Sequence, residues 1–322
     1  MLAYLTKPAD RLGDTIVLAS IFAELMPRYP DLKVICNDGE STRWVAKFFP
    51  NLLVAPTIQD IPHPIDVLIQ FGKPDLRFIQ LAKRLRAKRI IAEDRGAYRW
   101  FASDLVPRGL PRNLHQANIW GIYFRCAFPE LPIITRYPDL RSLVEPIGID
   151  REYVVVHTDT GKSNRPPSFD VLTQAIEVCQ LLGLGALITS SPESALAQQL
   201  SIRFPDSERL HPTGIEQLAS VLSRAQLVIS PDTGPAHLAA ALRVPVIDLS
   251  CKVFLPSERW RPLAERVTLL RPKNGCASCL ARGRCHRPPY PDNTCTETFD
   301  LDDLTEAILS AIAMQARQSA MA

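Results

Sequence analysis

The sequence lacks the features that mark membrane-spanning, secreted and repeat-built chains. No apolar run approaches the length of about 18 residues that a membrane-spanning helix needs, and no basic stretch followed by a long apolar one opens the chain. Internal repeats and low-complexity tracts are absent as well. We therefore expect a cytoplasmic protein without a spanning segment or a signal peptide.

The chain also carries little net charge. The net charge is +3, from 37 Lys and Arg against 34 Asp and Glu, which argues against a nucleic-acid partner recognised through bulk charge. Apolar residues, in contrast, make up 46% of the 322 residues. That is enough to bury a core in each of roughly two domains, and it excludes extensive disorder.

Short apolar runs rich in β-formers alternate with helical patterns along the whole chain. The alternation starts with an apolar run at 2–5 and a helical pattern at 15–26, and it begins again with an apolar run at 153–156. Continuous apolar strands separated by helices are typical of parallel sheets covered on both faces. The pattern predicts an α/β fold.

A proline-rich segment separates the two series of strands and helices. It covers 128–148 and contains four prolines, which is typical of a linker. We predict two doubly wound, Rossmann-like domains, 1–145 and 146–322, facing a central cleft at the carboxyl ends of both sheets, where such folds bind ligands. The second domain would include a cysteine-rich segment and a C-terminal helix over 301–313.

The segment 228–242 carries the strongest functional signal. A buried strand ends here, the chain turns through Asp232, Thr233 and Gly234, and a helix with an early proline follows. The free N–H groups and positive dipole end of a helix N-terminus predict an anion site. Thr233 and His237 can donate to phosphate oxygens, and Gly234 lets a phosphate approach the backbone. Asp232 can hold a ribose hydroxyl or orient the turn. A plain strand-to-helix turn with a capping side chain is the alternative.

Polar residues follow three other strands of the pattern. Gly13 and Asp14 come after the first strand, where a carboxylate can act as a general base. Lys162 and Arg165 follow the first strand of the second half and offer cations to a diphosphate. Glu193 follows the next strand, where an acid can bind a nucleoside ribose. The alternatives are helix-opening acids for the two carboxylates and a solvated loop for the two cations.

Four of the eight cysteines crowd together near the C-terminus, at Cys276, Cys279, Cys285 and Cys295. Four thiolates that begin with a C-x-x-C pair can form a tetrahedral site for zinc or iron. Such a site would be structural rather than catalytic, because four protein ligands leave no open position. Two disulfides are the alternative, which a reducing cytoplasm disfavours. The remaining cysteines lie in apolar stretches of the sequence, and we predict that they are buried thiols.

The segment 77–112 is strongly basic, with ten Lys or Arg residues against three acids. A solvated helix face is the plain interpretation of such a run. An anionic acceptor or the anionic leaflet of a membrane would also suit it.

At these residues the chain resembles glycosyltransferase family 9, the ADP-heptose transferases that build the inner core of bacterial lipopolysaccharide. Arg11-x-Gly13-Asp14 resembles the N-terminal loop of the family, and 213–249 resembles its best-marked stretch, an Asp-Thr-Gly-x-x-His pattern followed by an Ala-rich helix. The resemblance implies a two-domain GT-B fold, with the acceptor on the N-terminal half and the nucleotide sugar on the C-terminal half. It also implies an inverting transfer without a catalytic metal.

The resemblance assigns roles to residues by position. Asp14 would be the general base that deprotonates the acceptor hydroxyl, and Glu193 would contact the nucleoside of the donor. Thr233, Gly234 and His237 would hold the diphosphate and stabilise its charge as it leaves.

The chain departs from the family pattern at two places on the donor side. The usual Lys-x-Trp-Pro element is replaced over 164–167, so that either Lys162 or Arg165 would supply the cationic donor contact, and the Phe-Gly after the last strand is replaced over 249–251. The cysteine cluster resembles one in some members, including heptosyltransferases that modify autotransporter proteins. A protein acceptor therefore stays open beside the lipopolysaccharide acceptor.

The leading hypothesis is thus a cytoplasmic inverting glycosyltransferase, peripheral at the inner face of the inner membrane, that moves heptose from ADP-heptose to a lipopolysaccharide core acceptor. A nucleotide-sugar epimerase shares the fold but needs further carboxylates beside Asp14 and Glu193. A non-catalytic assembly subunit is the third hypothesis, and it predicts that Asp14 is dispensable.

Overall fold

The computed structural model describes residues 1–6, 11–71, 76–111, 113–145, 148–149, 151–160, 165–251, 257–274 and 294–319. The chain divides into two units, Met1–Pro138 and Asp139–Ala322, and the division lies within the proline-rich segment 128–148. Each unit is built on a six-stranded sheet, and the strand pairs of both sheets are parallel. The prediction of doubly wound α/β units is confirmed.

The first unit has the strand order β3-β2-β1-β4-β5-β6. Its elements are β1 (Leu2–Leu5), α1 (Leu12–Leu25), β2 (Lys33–Asn37), α2 (Glu40–Ala46), β3 (Leu52–Ala55), β4 (Val67–Ile69), α3 (Leu76–Arg84), β5 (Arg89–Glu93), β6 (Asp104–Val106) and α4 (Gln116–Ala127), with 3-10 turns at Ile58–Asp60 and Gly96–Trp100. The order reverses between β1 and β4. At such a switch point the flanking connections leave in opposite directions and open a crevice at the carboxyl ends of the strands.

Two apolar clusters hold the helices of this unit on the sheet. Phe78, Ala82 and Leu85 of the α3 region pack with strand residues such as Tyr4 and Leu68. Helix α1 contacts α4, and their rings meet edge-on at Phe22 and Phe124, with 6.3 Å between the centroids. A helix that is buried on most of its surface, as α1 is, needs such cover on both sides.

The second unit repeats the pattern with the order β12-β11-β10-β7-β8-β9. Its elements are β7 (Tyr153–His157), α5 (Phe169–Leu181), β8 (Gly185–Thr189), α6 (Ala195–Arg203), β9 (Glu208–Leu210), α7 (Ile215–Ser223), β10 (Leu227–Pro231), α8 (Gly234–Ala241), β11 (Val246–Leu249), β12 (Val267–Leu270), α9 (Thr294–Glu297) and α10 (Leu301–Ser319), with 3-10 turns at Arg141–Leu143 and Ser257–Arg259. Here the switch point lies between β7 and β10.

The predicted C-terminal helix is present as α10 and packs against α5. Leu304 and Ile308 are fully buried in the same apolar cluster as Ile176 and Cys179 of α5. Asp300 caps the helix, because its Oδ1 accepts the Asp302 N–H at 2.9 Å. Within the described ranges no helix is long and apolar enough to cross a membrane.

The four scattered cysteines are free thiols, and three of them are buried as predicted. Cys36, Cys179 and Cys251 are buried, and Cys126 is half-buried. Burial raises the pKa of Cys36 and of Cys179 to about 12. These thiols therefore stay protonated and act as small apolar side chains.

Candidate functional site

The switch point of the second sheet brings together two segments that are far apart in sequence. Strands β7 and β10 are neighbours, with Val156 paired to Ile229. The residues that follow them, 158–160 and 232–237, therefore emerge at the same carboxyl edge of the sheet. This edge is where an open α/β sheet binds its ligand.

The turn between β10 and α8 is fixed by hydroxyl groups. Thr233 is the N-cap residue of α8, but its side chain makes no capping bond to the helix. Its hydroxyl instead donates to the Pro231 carbonyl at 3.0 Å and lies 3.1 Å from the Ser230 hydroxyl. The capping alternative for Thr233 therefore fails, and the Thr233 side chain does not occupy the positive dipole end of α8.

His237 and Asp232 face each other within this turn. The His237 Nε2 and Asp232 Oδ1 atoms are 3.9 Å apart, and only 3% of the His237 side chain is exposed. Pro235 occupies the first turn of α8, where a missing N–H costs nothing. The structure thus brings Asp232, Thr233, Gly234 and His237 into one turn, and their contacts to a ligand stay a prediction.

A second cluster of hydrogen bonds joins the ends of β7 and β8. Asp159 accepts the Ser191 N–H at 2.5 Å, and the Thr158 hydroxyl lies 3.2 Å from that of Ser194. Burial acts to raise the pKa of Asp159, but the hydrogen bonds from Ser194, Ser191 and Thr158 outweigh it and lower that pKa. The carboxylate is therefore a fixed acceptor, which ties the loop 190–194 to the end of β7.

Glu193 lies on this loop and is exposed. Ser194, the next residue, caps α6 by accepting the Ala197 N–H at 3.4 Å. The helix begins at Ala195, so Glu193 precedes it. The interpretation of Glu193 as a first-turn acid of the helix is therefore wrong, and its side chain stands in the loop at the carboxyl edge.

Arg209 of β9 holds the loop from the other side. Its Nη2 donates to the carbonyls of Pro192 at 2.8 Å, Ser191 at 3.2 Å and Ser194 at 3.4 Å. Its Nε lies 3.4 Å from the Ser190 hydroxyl. No sequence pattern singles out Arg209, because a single arginine in a three-residue strand has no periodic context.

His157 is the last residue of β7. Burial lowers its pKa to about 4, against the smaller opposing effect of Asp159. The Nδ1 atom lies 3.1 Å from the Thr189 hydroxyl of β8. His157 is therefore neutral at pH 7 and belongs to the polar layer beneath the edge.

Of the two cations predicted to contact the donor, the structure describes one. Lys162 lies outside the described residues. Arg165 is 1% exposed, and its backbone N–H donates to the Cys251 sulfur at 3.4 Å. Arg165 therefore reaches the edge beside the end of β11, with its guanidinium enclosed rather than in a solvated loop.

Asp14 occupies the corresponding edge of the first sheet. Helix α1 begins at Leu12, so that Gly13 and Asp14 form its first turn, and both are half-buried. The N-cap residue, Arg11, makes no side-chain cap. The Thr6 N–H, just past β1, donates to Ile69 of β4 at 3.1 Å. Asp14 thus opens the helix that leaves the β1–β4 switch point, as predicted.

Three of the four clustered cysteines lie outside the described residues: Cys276, Cys279 and Cys285. The fourth, Cys295, is part of the short helix α9. Hydrogen bonds join the two ends of this segment. The Asn274 N–H donates to the Thr298 hydroxyl, and that hydroxyl lies 3.2 Å from the Asn274 carbonyl. Elsewhere in the described part of the chain no group of three or more His, Cys, Asp or Glu side chains could hold a metal.

Part of the chain matches a known family. Residues 176–288 match the model of glycosyltransferase family 9 (heptosyltransferase), which covers β8 through β12 and the turn at 232–237. The lipopolysaccharide core heptosyltransferase OpsX of Haemophilus influenzae is 23% identical over 128 residues. That alignment covers 38% of this chain and 37% of the length of OpsX. The resemblance to this family that the sequence indicated is confirmed over residues 176–288.

Solved heptosyltransferases share the fold. E. coli heptosyltransferase WaaC, solved with ADP, has a TM-score of 0.70 at 14% identity, with 96% of this chain and 99% of that one covered. TibC of enterotoxigenic E. coli H10407, an iron-containing dodecamer, was solved in complex with ADP-D-beta-D-heptose. It has a TM-score of 0.60 at 13% identity, with 98% of this chain and 76% of that one covered. The chain therefore has the GT-B fold.

Proposed function

We propose that this protein is an inverting heptosyltransferase that moves heptose from ADP-heptose to a lipopolysaccharide core acceptor. The observation that carries the proposal is the turn 231–237, which stands at a switch point, opens a helix that the Thr233 side chain does not cap and lies within the family 9 match. The WaaC and TibC structures, which were solved with ADP or ADP-heptose, support an ADP-linked donor.

The second unit binds the donor in this proposal. The N-terminal end of α8 faces the diphosphate, where Gly234 offers its N–H, and the Thr233 hydroxyl keeps the turn in shape. His237 adds a donor group one helical turn further on. Glu193 lies on the loop that Arg209 holds, and from there it accepts a hydrogen bond from a ribose hydroxyl of the donor.

The remaining donor contacts come from Asp232, which orients the turn, and from a cation. Arg165 supplies that cation if its guanidinium turns toward the diphosphate when the donor binds, and Lys162 does so otherwise. Because helix dipole and cation offset the charge that develops on the leaving diphosphate, the transfer needs no catalytic metal.

Asp14 acts on the acceptor. Its carboxylate takes the proton from the acceptor hydroxyl while the hydroxyl oxygen attacks the anomeric carbon of the heptose. The new carbon–oxygen bond forms as the bond from that carbon to the β-phosphate oxygen breaks, and its electron pair leaves with ADP. Attack from the face opposite the leaving group inverts the configuration.

A calorimetric screen against ADP, UDP, GDP, CMP and ADP-heptose tests the donor. Selective stabilisation by ADP and ADP-heptose is expected, because a ligand that binds the folded state raises its stability. Stabilisation by UDP or GDP instead would overturn the heptose assignment. No response to any nucleotide would favour the non-catalytic subunit.

The acceptor is tested separately with ADP-heptose and either a lipopolysaccharide core precursor or an autotransporter protein. Heptose on the lipid precursor is the expected product. In the cell we propose that the transfer takes place at the inner face of the inner membrane, and that no nucleic acid takes part. Heptose on the protein alone would overturn the lipopolysaccharide assignment and leave the transferase.

We also propose that Cys276, Cys279, Cys285 and Cys295 hold one structural metal ion, zinc or iron. Four thiolates suit either metal, and the hydrogen-bonded pair Asn274–Thr298 ties the chain close to the first and last of them. The iron-containing TibC supports this reading. Metal analysis after purification under reducing conditions is expected to find about one ion per chain.

A further inference from the structure

The C-terminal end of α3 carries three exposed cations. Lys83 and Arg84 close the helix, and Arg86 follows two residues later. Among the described residues, none of these three side chains makes an ion pair or a hydrogen bond. Their charge is therefore available to a partner.

The acids of this region are already paired with other cations. Asp66 binds Lys88 at 2.8 Å, Asp104 binds Arg89 at 2.6 Å, Glu93 approaches Arg108 at 3.7 Å, and Asp94 binds Arg99. Because these acids are used by neighbours, they do little to offset the field of the three cations. The local surface is strongly positive although the chain as a whole is nearly neutral.

Arg86 adds a second observation. Its φ is +48°, and it follows α3 in the left-handed position where Gly or Asn normally ends a helix. The Ala87 N–H closes the turn on the Ala82 carbonyl at 3.1 Å. A side chain with a Cβ is strained there, so that this cation stands where the backbone alone favours glycine.

Large apolar side chains stand exposed next to these cations. Trp100 is 86% exposed and Phe101 is 46% exposed. Leu105, in the edge strand β6, is also exposed, at 38%. Exposed tryptophan and phenylalanine side by side are unusual on a surface that faces only water.

Two contacts place the aromatic residues beside the basic ones. Ser103 is hydrogen-bonded to Ile90 of β5 in both directions, at 2.8 Å and 3.0 Å. Ala102 packs on the same apolar cluster as Leu85 of the α3 region. Residues 100–101 therefore lie next to the end of α3 and the start of β5.

We infer that Lys83, Arg84, Arg86, Trp100 and Phe101 form a docking surface for an anionic phospholipid bilayer, called here the basic-aromatic surface. Cations attract the negative headgroups over a Debye length, and aromatic rings settle at the headgroup level, where one side of the ring is apolar and the other is wet. Docking on the bilayer brings the protein to a lipid-anchored acceptor. This benefit rests on the proposed function.

Vesicle sedimentation tests the inference with the protein as it is. Vesicles of phosphatidylcholine with a quarter phosphatidylglycerol should bind the protein, vesicles of phosphatidylcholine alone should bind it weakly, and added salt should release it. Each surface cation strengthens binding about fivefold. The triple variant Lys83→Gln, Arg84→Gln, Arg86→Gly should therefore bind on the order of 100-fold more weakly.

A matched control removes three exposed cations elsewhere, as Arg28→Gln, Arg151→Gln and Arg203→Gln. It changes the net charge by the same amount, and it should keep most of the binding. An equal loss in both triple variants would overturn the surface as the binding site. Because glycine relieves the left-handed position at residue 86, the first variant should melt no lower than the control, which separates lost binding from lost folding.

Vesicles whose acyl chains carry bromine test the aromatic half, because bromine quenches a tryptophan that inserts beside it. Quenching is expected in the parent and should be lost in Trp100→Phe while sedimentation persists. Equal quenching in both proteins would place another tryptophan at the membrane and overturn the inference. Transfer to a delipidated, water-soluble acceptor is measured in parallel and should be unchanged by these variants, so that failure to bind vesicles and failure to transfer a sugar are distinguishable.

Discussion

Replacement of Arg209 by methionine tests whether the loop 190–194 is a donor-binding element. Methionine keeps much of the apolar stem but removes the guanidinium, which donates to three carbonyls of the loop. Asp159 still holds the loop through Ser191. The change therefore loosens the loop without deleting it.

The hydrogen-bond lengths set the expected magnitude. The bond to Pro192 is short at 2.8 Å, whereas the bonds to Ser191 and Ser194 are 3.2 Å and 3.4 Å. A hydrogen bond to a charged group contributes about 1.5 to 3 kcal/mol when its geometry is good. We count one such bond and little from the long ones, which gives about 2 kcal/mol. If donor binding needs the ordered loop, the Kd for ADP should rise by up to about 30-fold.

Isothermal titration with ADP and urea unfolding measure the two consequences side by side. Arg203→Met is the control, because Arg203 lies on neighbouring α6 and its contacts are an ion pair with Glu177, at 2.9 Å on the surface, and the Phe204 ring. Such exposed pairs contribute about 0 to 1 kcal/mol. Arg209→Met should weaken ADP binding and Arg203→Met should not. ADP affinity that stays unchanged while Arg209→Met loses stability would show that Arg209 is purely structural and refute the reasoning.

Further substitutions test the other roles. Asp14→Asn should lower kcat by orders of magnitude and leave the Kd for ADP-heptose nearly unchanged, because the base touches only the acceptor; unaltered turnover would refute the role. His237→Ala should weaken ADP binding in calorimetry, and an unchanged affinity would remove it from the site. His157 has a folded-state pKa of about 4 against an ordinary 6.5, so the unfolded state binds more protons and stability is lost as the pH falls from about 6.5 to 4, by up to about 3 kcal/mol. His157→Gln should flatten urea-unfolding stability over that range, and an equally steep profile would contradict the assignment. Cys276→Ser should lose the bound metal, and a folded, metal-free parent protein would contradict the site.

The sequence was sufficient wherever local pattern and burial agreed. Apolar runs such as 153–156 became central strands, because a parallel strand covered on both faces must be apolar throughout. The turn at Asp232 and Thr233 was visible because a strand end, a glycine and an early proline leave few other conformations. Of the plain alternative for this turn, the Thr233 cap was wrong, since the Thr233 hydroxyl donates to the Pro231 carbonyl instead.

The short edge strands escaped prediction, as did α4. Strands β6 and β9 have only three residues each, too few for a period to register. Their places are set by neighbours, β5 for β6 and β8 for β9. Helix α4 has an aromatic face whose partners, Phe22 and Phe71, come from distant segments.

The sequence by itself determined the alternation of strands and helices, the phosphate-type turn and the acid that opens α1. Only the tertiary structure decided which of these meet. Parallel pairing of β7 with β10 places 158–160 beside 232–237, and β9 carries Arg209 to the loop of Glu193. The physical reason is that local pattern follows from neighbouring side chains, whereas strand order and the partners of a charged group follow from contacts between residues far apart in the chain.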